Sequence, residues 1–331
     1  MSKKKSIEAL MFTDLHLNAM NKDICVDFFN KLMLFAKQKD VKNIFFLGDF
    51  TDNRKGLDEP TITTTLNLFK IIKESNINIY LIPGNHDKFV VSGESSYLDI
   101  CKYNYLFKNV GICSVGNFDY AFFPYFEGEL FDKGIEYFQN LEITKPTILL
   151  GHYMYEQIPS EIKNKFEKVF LGHNHEREDF PKGMYLGSCF QQGFSEDNNK
   201  GFTILYSDLS TELVPYCFKE FVLQKVDINT FDEEKIKEFI LDFKEKNPDK
   251  LLKIELNGYN KNISDLKEFC KLNGVAFASK VENNANNIQE EILNISEFSH
   301  KQIVKQFENF CEENNVKQEI KDKILNILNN N

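Results

Sequence analysis

Five of the six histidines, His16, His86, His152, His173 and His175, share a setting. Each follows an apolar run and has Gly, Asp or Asn within two positions. The segments read FTDLH, LIPGNHD, ILLGH and FLGHNH; a fifth, FFLGD, has the same form and ends in Asp49. Imidazole and carboxylate together are a donor set for borderline first-row dications. Two such ions ~3.5–4 Å apart clamp a phosphate for in-line displacement and activate the water between them. That arrangement needs one carboxylate shared by both ions. Four positive charges against two aspartates leave a surplus that suits a phosphodiester anion. Taken singly, each segment has a plain explanation: a loop histidine, a turn with a capping Asp, an HxH pair on one strand face. Their recurrence makes a metal site the better reading.

Such a site needs elements that deliver every segment to one place. The runs 7–12, 43–47, 77–82, 147–150 and 168–171 are short, apolar and bounded by Gly or Pro, the pattern of buried strands. Between them lie helical patterns. Ile24, Phe28, Leu32 and Ala36 recur at every fourth position, Cys25, Phe29 and Met33 widen that stripe, and 62–72 reads similarly. Alternation of strands and helices predicts largely parallel sheets, which present ligand sites beyond their carboxyl ends.

Composition narrows the remaining choices. With 331 residues, 42% apolar and 27% charged, the chain can bury a sizeable core, which excludes a disordered, fibrous or disulfide-stapled protein. No apolar run reaches the ~18 residues of a membrane span. The basic residues 1–5 precede a strand-like run carrying Asp14 and His16, which does not read as a signal peptide. Seven singly placed cysteines without a CxxC predict reduced thiols and a cytoplasmic protein, or host cytoplasm for a phage enzyme. The net charge is −10 and neither half is basic, which argues against nucleic-acid binding by bulk charge. The only arginines are Arg54 and Arg177, too few for base-specific DNA reading.

The series DxH, GD, GNHD, GH and GHxH, from Asp14 to His175, resembles the calcineurin-like metallophosphoesterase superfamily. The resemblance implies a four-layer α-β-β-α sandwich with the metal loops at one edge. It places one ion on Asp14, His16, Asp49 and His175 and the other on Asp49, Asn85, His152 and His173. His86 would face the substrate, with Asp87 orienting it. Mn2+ is the family expectation, and the donors also suit Fe2+ or Zn2+. Phosphoprotein phosphatases carry Arg-Gly after the second motif and end the third in Glu; GDFTDNRKG and Asp87 depart from both. The segment YLGSCFQQGFSEDNNKGFTIL, 185–205, instead resembles the Gly-Ser, Phe-x-Glu and Lys-Gly signature of SbcD-like DNA repair nucleases. Some relatives carry a His three residues after the second-motif Asp, where Asp52 stands here.

Beyond the motifs, 221–228, 252–256 and 275–281 read as strands and 232–246 and 264–272 as helices, resembling the DNA-capping domain of that branch. From 288 onward the pattern is helical and amphipathic. Ile292, Ile295 and Phe298 form one stripe, Ser299 and Gln302 a capping box, and Ile303, Val304, Phe307 and Phe310 a second face. Either this tail packs on its own domain or it docks the coiled-coil root of an SMC-like ATPase. The expected organisation is therefore a nuclease domain at 1–215, a capping domain at 216–287 and a helical tail at 288–331. The expected activity is exonuclease and single-strand endonuclease, with DNA, an SbcC-type ATPase and a second copy of the chain as partners and no membrane. A phosphodiesterase for nucleotides or other small phosphoesters is the alternative. A non-catalytic scaffold fits less well, because every ligand and the GNHD histidine are present.

Overall fold

The computed structural model describes residues 5–52, 56–227, 232–258, 264–282 and 288–292. The chain divides into two compact units, Met1–Phe218 and Lys219–Asn331. The break falls after Phe218 rather than after Pro215.

In chain order the first unit contains β1 (Ile7–Phe12), α1 (Lys22–Gln38), β2 (Asn43–Leu47), α2 (Glu59–Glu74) and β3 (Asn78–Ile82). There follow β4 (Gly111–Val115), β5 (Phe118–Phe123), α3 (Glu129–Asn140), β6 (Thr147–Gly151), α4 (Ser160–Lys165) and β7 (Lys168–Leu171). Four strands close it: β8 (Glu178–Phe180), β9 (Gly183–Tyr185), β10 (Gly201–Tyr206) and β11 (Thr211–Pro215). One sheet has the order β11-β10-β1-β2-β3 and the other β4-β5-β6-β7-β9-β8. Neighbours β1, β2 and β3 are parallel, as are β5, β6, β7 and β9.

Alternation along the strands separates three cores. Leu10 and Phe12 of β1 and Ile44 and Phe46 of β2 pack with Phe28, Phe29 and Leu32 of α1. The intervening Ala9, Met11, Phe45 and Leu47 meet Tyr120, Phe122, Ile148 and Leu150 of the other sheet. Phe45 and Tyr120 face each other with ring centroids 4.2 Å apart. On the far side Ala121, Phe123 and Leu149 pack with Phe138 of α3 and Ile162 of α4. The layers are therefore helix, sheet, sheet, helix. Both faces of each sheet are covered, which is why the central strands read as continuous apolar runs. Helix α2 begins before residue 62 because Asp58 caps it, accepting from Thr61 N at 2.9 Å, with Pro60 in the first turn.

The second unit contains β12 (Phe221–Asp227), α5 (Glu233–Lys246), β13 (Leu251–Gly258), α6 (Ser264–Leu272), β14 (Ala276–Glu282) and β15 (Ile288–Ile292). Its sheet has the order β12-β13-β14-β15, parallel except for β15. Ile236 and Ile240 of α5 and Leu266 and Cys270 of α6 pack on Leu252, Ile254 and Leu256. The helical reading from 288 onward is corrected over 288–292. That stretch pairs antiparallel with β14, from Ile288 opposite Glu282 to Ile292 opposite Ala278. An open sheet edge offers a row of backbone hydrogen bonds, and over so short a stretch this outweighs a weak helical pattern. Residues 293–331, with Ser299, Gln302, Phe307 and Phe310, lie outside the described residues. Among the described residues no helix is long and apolar enough to cross a membrane.

Candidate metal centre

Each motif begins within two residues of a strand's carboxyl end. Asp14 and His16 follow β1, Asp49 follows β2, Asn85 and His86 follow β3, His152 follows β6, and His173 and His175 follow β7. The loops after β1 and β2 continue as a ladder beyond the sheet: Asp14 N donates to Gly48 O, His16 N to Asp49 O and Leu17 N to Phe50 O, each at 2.9–3.0 Å. Holding the side chains inward costs local strain. Asp14, His16, Asp49 and His173 all have positive φ, at 52°, 48°, 59° and 81°. The chain also passes close to itself, since a Cβ at Gly84 would collide with the carboxylate and amide of Asp49.

The side chains meet in two neighbouring groups. Asp14, His16 and His175 bring their ligand atoms together at one end, and Asp49, His152 and His173 at the other. The two carboxylates are held alike. Asp14 Oδ2 accepts from His173 N at 3.1 Å and from Thr13 Oγ1 at 2.8 Å. Asp49 Oδ1 accepts from His86 N at 2.7 Å. In each case the other oxygen faces the imidazoles. Asp49 Oδ2 lies 3.1 Å from His152 Nε2 and 3.5 Å from His16 Nε2, between the two groups. Asn85 Oδ1 lies 2.9 Å from His173 Nδ1 and 3.2 Å from His152 Nε2.

Three of the imidazoles have Nδ1 held by an acceptor, which leaves Nε2 directed inward. His152 Nδ1 lies 2.6 Å from Leu47 O, His16 Nδ1 lies 3.1 Å from Asp52 Oδ1, and His175 Nδ1 lies 2.9 Å from Glu196 Oε1.

The chain matches the calcineurin-like phosphoesterase family over residues 9–252. It belongs to that family. No curated protein matches it. Family membership makes this phosphoesterase a metal-dependent hydrolase of phosphoesters, and the family's divalent metals fit the donors present. Asp14 Oδ1 is buried and has no hydrogen-bond partner among the described residues. Nε2 of His16 lies 3.6 Å from it and Nε2 of His175 lies 3.9 Å from it. A buried carboxylate oxygen without a donor is costly unless positive charge meets it.

Electrostatics agree with a site built for cations. Burial would raise Asp49 and Asp14, but the surrounding histidines hold both carboxyls below their ordinary range. Burial pulls His16 down, yet the neighbouring carboxylates of Asp14, Asp52 and Asp49 lift it to about 10. Burial also opposes the charged form of His152, and Asp49 lifts it to about 9. Burial and the His152 charge push His173 down to about 4, so it stays neutral. In the metal-free protein, protons on His16 and His152 balance the carboxylates that metal ions would otherwise balance.

The carboxylate against His86 is Asp52, not Asp87. Asp52 Oδ1 sits 3.1 Å from both His86 Nδ1 and His16 Nδ1. Asp87 turns away, so the expectation that it orients His86 is corrected. It is fully buried and accepts from Phe50 N (3.1 Å), Thr51 N (2.8 Å), Thr51 Oγ1 (3.0 Å) and Gly84 N (2.9 Å). It thereby pins the loop after β3 to the loop after β2. His86 stands at the rim with a quarter of its side chain exposed. Its ligand atom also groups with His16 and Asp49.

Glu196 was not among the expected site residues, although its Phe-x-Glu segment was singled out. Gln192 in the same segment donates from Nε2 to Asp14 O at 2.7 Å. Nothing in residue spacing announces that a loop more than twenty positions downstream supports the first and last motifs; only the chain's return into β10 beside β1 does so.

Proposed function

We propose that this phosphoesterase is a DNA nuclease of the SbcD-like branch, acting through two divalent ions. Asp14, His16, Asp49 and His175 would hold one ion and Asp49, Asn85, His152 and His173 the other, with Asp49 common to both sets. Bound there, the ions would supply charge neutralisation for the phosphate and a more acidic water. The protein's own work is to hold the ring nitrogens inward and to offer His86 at the rim. With Asp52 Oδ1 3.1 Å from Nδ1, donation to the scissile phosphate or the leaving oxygen would fall to Nε2 of His86. Mn2+ is the ion we expect.

The observation that carries the nuclease reading over a phosphatase is the 185–205 segment. Its Gly-Ser, Phe-x-Glu and Lys-Gly positions sit against the metal loops, through Ser188 N to His175 O (2.9 Å) and Glu196 to His175. An SMC-like ATPase of the SbcC type, and a second copy of the chain, are the partners that go with this branch.

One observation favours the alternative, a small phosphodiester substrate. Arg177, the arginine among the described residues, is spent inside the protein on Thr203 Oγ1 (2.7 Å) and Leu186 O (3.3 Å). Among the described residues, contact with a DNA backbone would therefore fall to lysines. A digestion assay with added Mn2+, comparing linear duplex, circular single-stranded DNA and a chromogenic diester, separates the two readings. Cleavage of both DNA forms, abolished by chelation, supports the nuclease. Turnover of the diester alone would leave a small-molecule phosphodiesterase.

A further inference from the structure

The segment after β9 grips His175 at two points. Its side chain meets Glu196, Nδ1 to Oε1, at 2.9 Å. Its carbonyl oxygen accepts from Ser188 N at 2.9 Å and from Lys200 Nζ at 2.7 Å. Glu196 is itself held. Its Oε2 accepts from Gln192 N at 3.0 Å and lies 3.4 Å from Lys200 Nζ. The Lys200 side chain is 1% exposed and also meets Glu176 Oε2 at 3.3 Å. A lysine so deeply buried is costly unless several oxygens surround it, and here those oxygens belong to His175 and to its supporting carboxylates.

The three imidazoles that present Nε2 inward differ in what holds Nδ1. His152 has a backbone carbonyl, His16 has a carboxylate shared with His86, and His175 has a carboxylate to itself. His175 is also the most exposed of the three, with 32% of its side chain accessible. Neighbouring core atoms cannot lock its ring as they lock His152, which is fully buried. Its orientation therefore depends on a polar partner.

We propose that Glu196 is a positioning residue for His175, fixing the ring so that Nε2 faces Asp14, and that Lys200 holds Glu196 in that place. This rests on the reading of His175 as a metal ligand. An outer carboxylate on a ligating imidazole also strengthens it as a donor, and losing such a partner costs about 10–100-fold in metal affinity. The effect should fall on the ion held by Asp14, His16 and His175 and spare the other.

The test titrates the metal-free full-length chain with Mn2+, and separately with Co2+ read by its visible spectrum. The proteins compared are wild type, His175→Ala, Glu196→Ala and Glu196→Gln. We expect His175→Ala to lose one of two ions. Glu196→Ala should keep both binding steps, with one weakened about 10–100-fold and the Co2+ spectrum altered. Glu196→Gln, whose amide oxygen can still accept from Nδ1, should recover part of the affinity even if the alanine variant folds poorly. Wild-type isotherms in both Glu196 variants would overturn the proposal. Equal weakening of both steps, with earlier melting of the metal-free protein, would do so too by making Glu196 merely structural. Two ions retained by His175→Ala would instead refute the ligand assignment on which the proposal rests.

Discussion

Replacing Asp87 with Ala should destabilise the fold rather than act on the chemistry directly. The side chain is fully buried and its two oxygens receive three backbone amides and one hydroxyl. Alanine leaves the amides of Phe50, Thr51 and Gly84 without an acceptor in a buried setting. Each such orphan costs about 1–3 kcal/mol; water entering the space left by the carboxylate recovers part of it, for a net loss of about 3–6 kcal/mol. That is a large share of the ~5–15 kcal/mol that holds a typical domain together. At about 2–4 °C per kcal/mol for a unit of this size, melting should fall by on the order of 10 °C. Asp52→Asn is the control. Asp52 is partly exposed, its pairing is with His16 and His86, and its loss should cost little stability while lowering turnover. The assay is denaturant and thermal unfolding in chelator, so that metal binding does not contribute, followed by turnover with Mn2+. An Asp87→Ala protein with wild-type melting and only a catalytic defect would refute this reasoning and return Asp87 to the role of orienting His86.

Asp49→Asn should lower occupancy at both metal positions, because Asp49 Oδ2 lies between the two groups; two ions per chain by elemental analysis would contradict this. His86→Gln should retain both ions while losing about 10²–10⁴ in rate, as expected for a proton donor at the rim, and loss of an ion would make His86 a ligand. Metal uptake should release protons. His16 and His152 are lifted to about 10 and about 9, so both are protonated at neutral pH, and affinity should rise as pH rises toward those values. Binding heats that do not vary with the protonation enthalpy of the buffer would count against that competition.

The positions of the five metal-motif strands were legible from residue order alone. Apolar runs ending in Gly, Asp or His are short-range features, and β1, β2 and β7 occur where those runs predict them. The alternation of strand and helix likewise determined that the motif-bearing neighbours β1, β2 and β3, and β6 and β7, run parallel, and hence that the motifs lie at carboxyl ends of strands. The sequence did not say which carboxylate serves which imidazole. Asp87 is adjacent to His86 in the chain, yet neighbouring residues in a tight turn point apart. The loop after β3 aims Asp87 into buried amides and leaves Asp52, from a different strand end, against the ring. Glu196 shows the same limit over a longer span. Its place beside His175 depends on β10 returning antiparallel to β1, a pairing of residues nearly two hundred positions apart. The strand at Ile288–Ile292 belongs here as well, since a free edge on β14, rather than its own residues, decides that it is extended. Local pattern follows from side-chain period and turn chemistry, which act over a few residues. Partner choice follows from where the chain comes back, and only the tertiary structure decides that.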